Sequence, residues 1–140
     1  MRSRRLLATS LTILAVVAAV AIASPALAAD APAAPRVKVV ALEPGDAPYM
    51  LLLDGPPETA SMRSGLVTLA PGKAIGRHNT EKNEEMLVPL AGEGELRIAG
   101  QPPVPIHPGM ITYAPAHTEH DVVNTGSGTL RYIFIVAKAE

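Results

Sequence analysis

Residues 72–94 read GKAIGRHNTEKNEEMLVPLAGEG, and residues 109–124 read GMITYAPAHTEHDVVN. Three of the four histidines of the chain, His78, His117 and His120, fall in these two stretches, together with Glu84 and Glu85. Each stretch opens on a glycine turn and runs into an apolar segment, Met86 to Leu90 in the first and Asp121 to Asn124 in the second. Side chains two apart on a strand share a face, so His78 and Thr80 look the same way, and Glu85 at the start of the next strand can face them. In the second stretch Pro115 and Ala116 form the turn that delivers His120 to the head of an alternating strand.

Working outward, the same texture continues. Short apolar or alternating runs are separated by Gly, Pro, Asn and Asp, the spacing of antiparallel sandwiches and barrels. Strands are expected at Val37 to Leu42, Tyr49 to Leu53, Gly65 to Leu69, Met86 to Leu90, Glu95 to Ala99, Met110 to Tyr113, Asp121 to Asn124 and Leu130 to Val136. The 14 prolines stand mostly at run boundaries, as in Pro71-Gly72, Pro102-Pro103 and Pro108-Gly109, which disfavours helices. In Leu130 to Val136 both faces are largely apolar, which marks a central strand. No internal repeat is visible, and the fold class is all-β, a closed barrel or jelly roll that protects its edges.

The two quoted stretches resemble the paired signature motifs of the cupin superfamily, with Gly72, His78, Glu85 and Gly92 matching the first and Gly109, Pro115, His120 and Asn124 the second. The resemblance covers roughly 55 residues and departs at two places: Thr80 stands where a second histidine is usual, and His117 where glycine is usual. It implies a double-stranded β-helix (a jelly-roll β-barrel, the small single-domain RmlC-like type) with a metal held inside by His78, Glu85 and His120. Two imidazoles and a carboxylate with open positions suit iron(II), zinc or manganese. Thr80 is then placed to hydrogen-bond a metal-bound water, and His117 is either a fourth ligand or a catalytic acid or base at the mouth. The alternative is a metal-free barrel in which the same polar residues bond to one another. Glu84 is expected on the opposite face from Glu85, His107 on the surface, and Asn124 closing a turn through its side chain. Tyr49, Tyr113 and the methionines at 50, 62, 86 and 110 are expected in the core. Arg77 and Arg97 would flank the mouth or lie solvated on the surface.

Residues 1–28 read as a secretory signal peptide: Arg2, Arg4 and Arg5, an apolar run from Leu6 to Ala23, then Ser24-Pro25-Ala26-Leu27-Ala28 with small residues at 26 and 28. A retained membrane anchor is the alternative reading. Ser3-Arg4-Arg5 partly resembles a twin-arginine start, against ordinary unfolded export. Residues 29–35 are Ala/Pro-rich and form a flexible leader, and residues 36–140 form one domain. Removing 28 of the 140 residues leaves 112, with 9 basic against 13 acidic residues and a net charge of −4. This mildly acidic chain without a basic run is a poor partner for nucleic acid or, after cleavage, for membrane. The chain has no cysteine, so disulfides and thiolate ligands are excluded and any metal is held by nitrogen and oxygen. The expected protein is therefore exported, periplasmic or extracellular, binding a small molecule as a metal-dependent enzyme (oxygenase- or isomerase-like) or, alternatively, as a non-catalytic binding module. The family resemblance also suggests a homodimer paired through outer sheets.

Overall fold

A computed structural model describes residues 34–43, 45 and 47–139. The expected signal peptide, and most of the leader, lie outside the described residues. The described residues form nine strands: β1 (Tyr49–Asp54), β2 (Arg63–Leu69), β3 (His78–Asn79), β4 (Asn83–Ala91), β5 (Gly94–Ile98), β6 (Val104–Ile106), β7 (Thr112–Ala114), β8 (Glu119–Val123) and β9 (Leu130–Lys138). Among the described residues there is no helix. The strands make two antiparallel sheets, ordered β1-β2-β9-β4-β7 and β3-β8-β5-β6, the double-stranded β-helix that the resemblance implied.

The core lies between the sheets and follows the period of two. Val67 and Leu69 point in from β2, Leu87 from β4, Leu96 from β5, Val122 from β8, and Leu130 and Tyr132 from β9. β9 is central, flanked by β2 and β4, as its two apolar faces suggested. Pro89 is tolerated in β4 because β7 pairs only with Glu85 to Leu87, and the ladder to β9 shifts register between Pro89 and Ala91. Asn124 closes a turn: its Nδ2 donates to the carbonyls of Leu69 and Gly128, both at 2.8 Å, and its Oδ1 accepts from the Gly126 amide at 3.0 Å. That side chain is buried, and its three bonds tie the end of β2 to the β8–β9 connection.

The strand expected at Val37 to Leu42 does not form. This segment runs without ladder pairing, with Val37 and Val39 100% and 94% exposed. Lys38 turns toward the protein instead, donating to the Leu52 carbonyl at 3.0 Å and pairing with Glu58. Alternation of Arg, Val, Lys and Val satisfies strand propensity but does not say which face meets a core, and here no apolar surface covers the valines. β6 escaped notice because three residues are too few to display a period, and β3, expected to carry His78 and Thr80, holds only His78 and Asn79.

Candidate metal centre

His78 stands on β3 directly opposite His120 on β8. Cross-strand partners share a face, which brings the two imidazoles to a centroid separation of 4.4 Å. Glu85 comes from the other sheet, where it is the inward residue of β4 paired with Ala114 and Val136. The three side chains therefore meet between the layers. Glu85 Oε2 lies 3.1 Å from His120 Nε2 and 3.9 Å from His78 Nε2, and one potential ligand atom from each of the three residues falls within 4.8 Å of the others. Glu85 and His120 are buried, whereas His78 is exposed at the edge.

The orientation of the rings is fixed from behind. His78 Nδ1 lies 2.8 Å from the Gly76 carbonyl and His120 Nδ1 3.4 Å from the Thr118 carbonyl. A ring that donates Nδ1–H to a backbone carbonyl leaves Nε2 as its free ligand atom, the usual arrangement behind a metal-bound histidine. Gly76 is itself held by its amide to Asp121 Oδ1 at 3.0 Å, so the β3 turn is tied to β8 on both sides of the histidine pair. Ligands about 2.0–2.2 Å from a common ion lie roughly 3–4 Å from each other, and the two measured carboxylate–imidazole separations fall in that range. The donor set fits a divalent ion.

Beside it, Glu85 holds the His120 imidazolium above the ordinary imidazole range, while burial acts in the opposite direction. A raised folded value means that the stabilisation is fully present below the unfolded value of about 6.5 and is lost as pH rises through the folded value. Metal requires the neutral ring, so its affinity changes in the opposite sense. Thermal melts of metal-free protein from about pH 5 to about pH 9 are therefore expected to show this contribution fading on the alkaline side, while divalent-metal affinity rises over the same interval. Parallel pH dependences of the two quantities would contradict the assignment.

Thr80 is buried, and its hydroxyl donates to the Pro115 carbonyl and accepts from the Thr118 amide, each at 2.8 Å. It fastens the turn that carries His120 into place. His117 is exposed, outside the three-residue group, and its amide donates to the Glu81 carbonyl at 2.7 Å. Its φ of 61° lies in the left-handed region, which explains why glycine suits this position of the second motif. Glu84 faces outward as expected, accepting from the Tyr113 hydroxyl at 3.1 Å, and His107 is exposed. Tyr49 and Tyr113, expected in the core, are 41% and 59% exposed. Tyr49 instead stacks on Phe134 beside the mouth of the site, with centroids 6.1 Å apart, and Tyr113 lies on the outer face of β7, whose inward alternates are Thr112 and Ala114. Arg77 and Arg97 form surface pairs with Glu119 and Glu95, at 3.3 and 2.9 Å.

The ligand group opens onto a cavity of about 230 Å³ between the sheets. Apolar side chains from both layers, Val67, Ile75, Val122, Phe134 and Val136, form most of its wall. Four polar residues that the sequence did not single out also line it: Arg63 at the start of β2, Asn79 and Asn83 beside the ligand group, and Tyr132 in β9.

A two-sheet barrel with an inward His/Glu/His group beside a small cavity defines the class of protein. A family model described as "Cupin domain" matches residues 65–136, just over half of the chain, and the chain belongs to that family. An oxalate-binding protein of Thermotoga maritima is 31% identical over 68 residues, which cover 49% of this chain and 55% of that protein. The chain thus matches little more than half the length of this curated relative. Among solved structures, a Cupin 2 conserved barrel domain protein from Salinispora arenicola superposes with a TM-score of 0.57 at 25% identity, covering 65% of this chain and 75% of that one. A Klebsiella pneumoniae protein with a double-stranded β-helix domain superposes with a TM-score of 0.63 over 75% of this chain and 93% of the other, at 16% identity, and so bears on the fold alone.

Proposed function

We propose that this chain is an exported cupin that binds one divalent metal ion through His78, Glu85 and His120 and presents the open coordination positions to a small molecule in the adjoining cavity. The convergence of one carboxylate and two imidazole Nε2 atoms, from opposite sheets and with both Nδ1 atoms turned to backbone carbonyls, carries this reading. The Thermotoga maritima relative, named for oxalate binding, supports a small oxygen-bearing ligand. A bound iron, zinc or manganese ion supplies Lewis acidity, and iron also supplies redox chemistry. The chain's own residues set the rest: backbone carbonyls fix the two rings, Thr80 holds the β8 turn, and the apolar wall excludes water from the ligand's far side. In the catalytic form of this reading, exposed His117 on the turn before β8 is the candidate for moving protons.

A non-catalytic capture module is the second reading. It is favoured by the cavity wall, which among the described residues has no imidazole or carboxylate beyond His78 and Glu85. Export, resting on residues 1–28, belongs to both readings and places the protein in the periplasm or outside the cell. The deciding experiment is elemental analysis of protein recovered from the envelope fraction and after reconstitution, beside the double change His78→Ala/His120→Ala. Near-stoichiometric metal that disappears in the folded double variant is expected. Reconstituted wild-type protein that retains no metal would remove the metal reading and leave an apolar-lined barrel.

A further inference from the structure

Arg63 and Tyr132 present polar groups on the cavity wall that bond to no described residue. Arg63 lines it from the exposed start of β2, opposite Val136 in the same cross-strand row as Glu85, and its guanidinium makes no hydrogen bond or ion pair with any described residue, in contrast to Arg77 and Arg97. Tyr132 is only 2% exposed, yet its hydroxyl has no hydrogen-bond partner among the described residues. The ring is packed in the core while the hydroxyl oxygen itself stays accessible, so it faces the open space of the cavity. Tyr132 and Val136 share the inward face of β9, and Val136 pairs with Glu85, so Tyr132 stands two inward positions along the strand from the ligand group. Between the two polar residues, the wall consists of Val67, Val122 and Phe134. The space of about 230 Å³ is smaller than the roughly 300 Å³ at which pockets begin to hold drug-sized ligands, so the occupant is a small metabolite.

We infer that Arg63 and Tyr132 are specificity-determining residues of this cavity, and that its ligand is a small aliphatic acid: a carboxylate on the Arg63 guanidinium, an apolar body against Val67, Val122 and Phe134, and a second oxygen accepting from the Tyr132 hydroxyl. This deepens the proposed function, because the acid occupies the same site as the metal. Guanidinium presents two parallel N–H donors that match a carboxylate, which a neutral amide or an apolar compound cannot use. Burial and the Glu85 charge raise the Tyr132 phenol well above its ordinary value, so it remains a donor at neutral pH. The apolar wall disfavours an ion with no hydrocarbon body, because such an ion would lose its hydration there without compensation. A short 4-oxo acid, with its hydrocarbon body between the carboxylate and the ketone oxygen, meets each of these requirements.

Calorimetric titration with levulinate, its amide, oxalate and inorganic phosphate tests the inference, using manganese-loaded and metal-free full-length protein. The acid is expected to bind more than tenfold tighter than its amide, oxalate or phosphate. Arg63→Ala is expected to remove at least tenfold of the affinity for the acid, about 1.4 kcal/mol, with partial recovery in Arg63→Lys. Tyr132→Phe keeps the ring in the core and removes only an unpartnered hydroxyl, so melting should be unchanged while acid affinity falls severalfold. Manganese affinity, measured separately, is expected to be the same in all three variants. Because the preference for acid over amide is also read in metal-free protein, loss of the metal reading leaves this test standing. Equal binding of acid and amide, tighter binding of oxalate or phosphate, or Arg63→Ala binding the acid as wild type does would overturn it.

Discussion

Glu85→Gln is expected to lower divalent-metal affinity by on the order of 100-fold or more, because it deletes the only carboxylate of the three-residue group while leaving its shape. Glutamine fits the same place on β4 between Ala114 and Val136, so the barrel should fold. What disappears is the anionic ligand, and with it the acceptor that stabilises the His120 imidazolium. The variant therefore has two readouts. Competition against a chromogenic chelator should show the loss of metal affinity. Melts of metal-free protein should show a flatter dependence on pH than wild type, since the coupling that made the acid form more stable is gone. Metal affinity within a few fold of wild type would mean that the ion sits elsewhere.

Gly92→Ala should be the most destabilising small substitution. Gly92 has φ of +77°, and a Cβ there would lie 2.8 Å from the Leu130 Cα and 2.9 Å from the Thr129 carbonyl carbon, both backbone atoms at the entry to β9. The left-handed conformation costs a non-glycine residue on the order of 1–3 kcal/mol. The backbone clash adds to this, because it can be relieved only by moving β9, the strand that joins both halves of its sheet. A total of about 3–5 kcal/mol would lower the melting temperature by roughly 12 °C or more in a domain of this size. Gly72→Ala is the control. Its φ is +74°, but a Cβ there meets nothing within 4 Å, so only the conformational cost, on the order of 1–3 kcal/mol, applies. The two glycines that bound the first motif are thus needed for different reasons, one for its turn and the other for close backbone packing as well. Equal melting temperatures for the two variants would contradict this distinction.

The grouping of His78, Glu85 and His120 was legible in the sequence because the family resemblance implied it. His78, Glu85 and His120 each stand beside a turn at the head of a strand, where alternation fixes the face and the motif fixes the partner. Asn124 was legible too, since an amide following a short strand commonly closes the next turn. Arg63 and Tyr132 were not. Arg63 begins β2, and whether its side chain enters the cavity depends on the pairing of β2 with β9, contacts about 70 residues apart in the chain. Tyr132 belongs to a strand apolar on both faces, so no alternation shows which side holds the cavity. Val37 and Val39 failed in the opposite way: their alternation is clear, but no sheet surface receives them.

The position of β9 in the five-stranded sheet has a consequence for biogenesis. β1 and β2 lie on one side of it and β4 and β7 on the other, so every earlier strand of that sheet waits for Leu130–Lys138 to join the two parts. During synthesis the growing chain can hold only a hairpin and a separate strand pair from this layer, and the pocket between the layers lacks one wall. Folding then depends on pairings distant in sequence, which places the barrel among slowly forming topologies, on the order of milliseconds to seconds. The five-stranded layer is therefore completed only after Leu130–Lys138 has been synthesised, whatever pairs the earlier strands have formed by then.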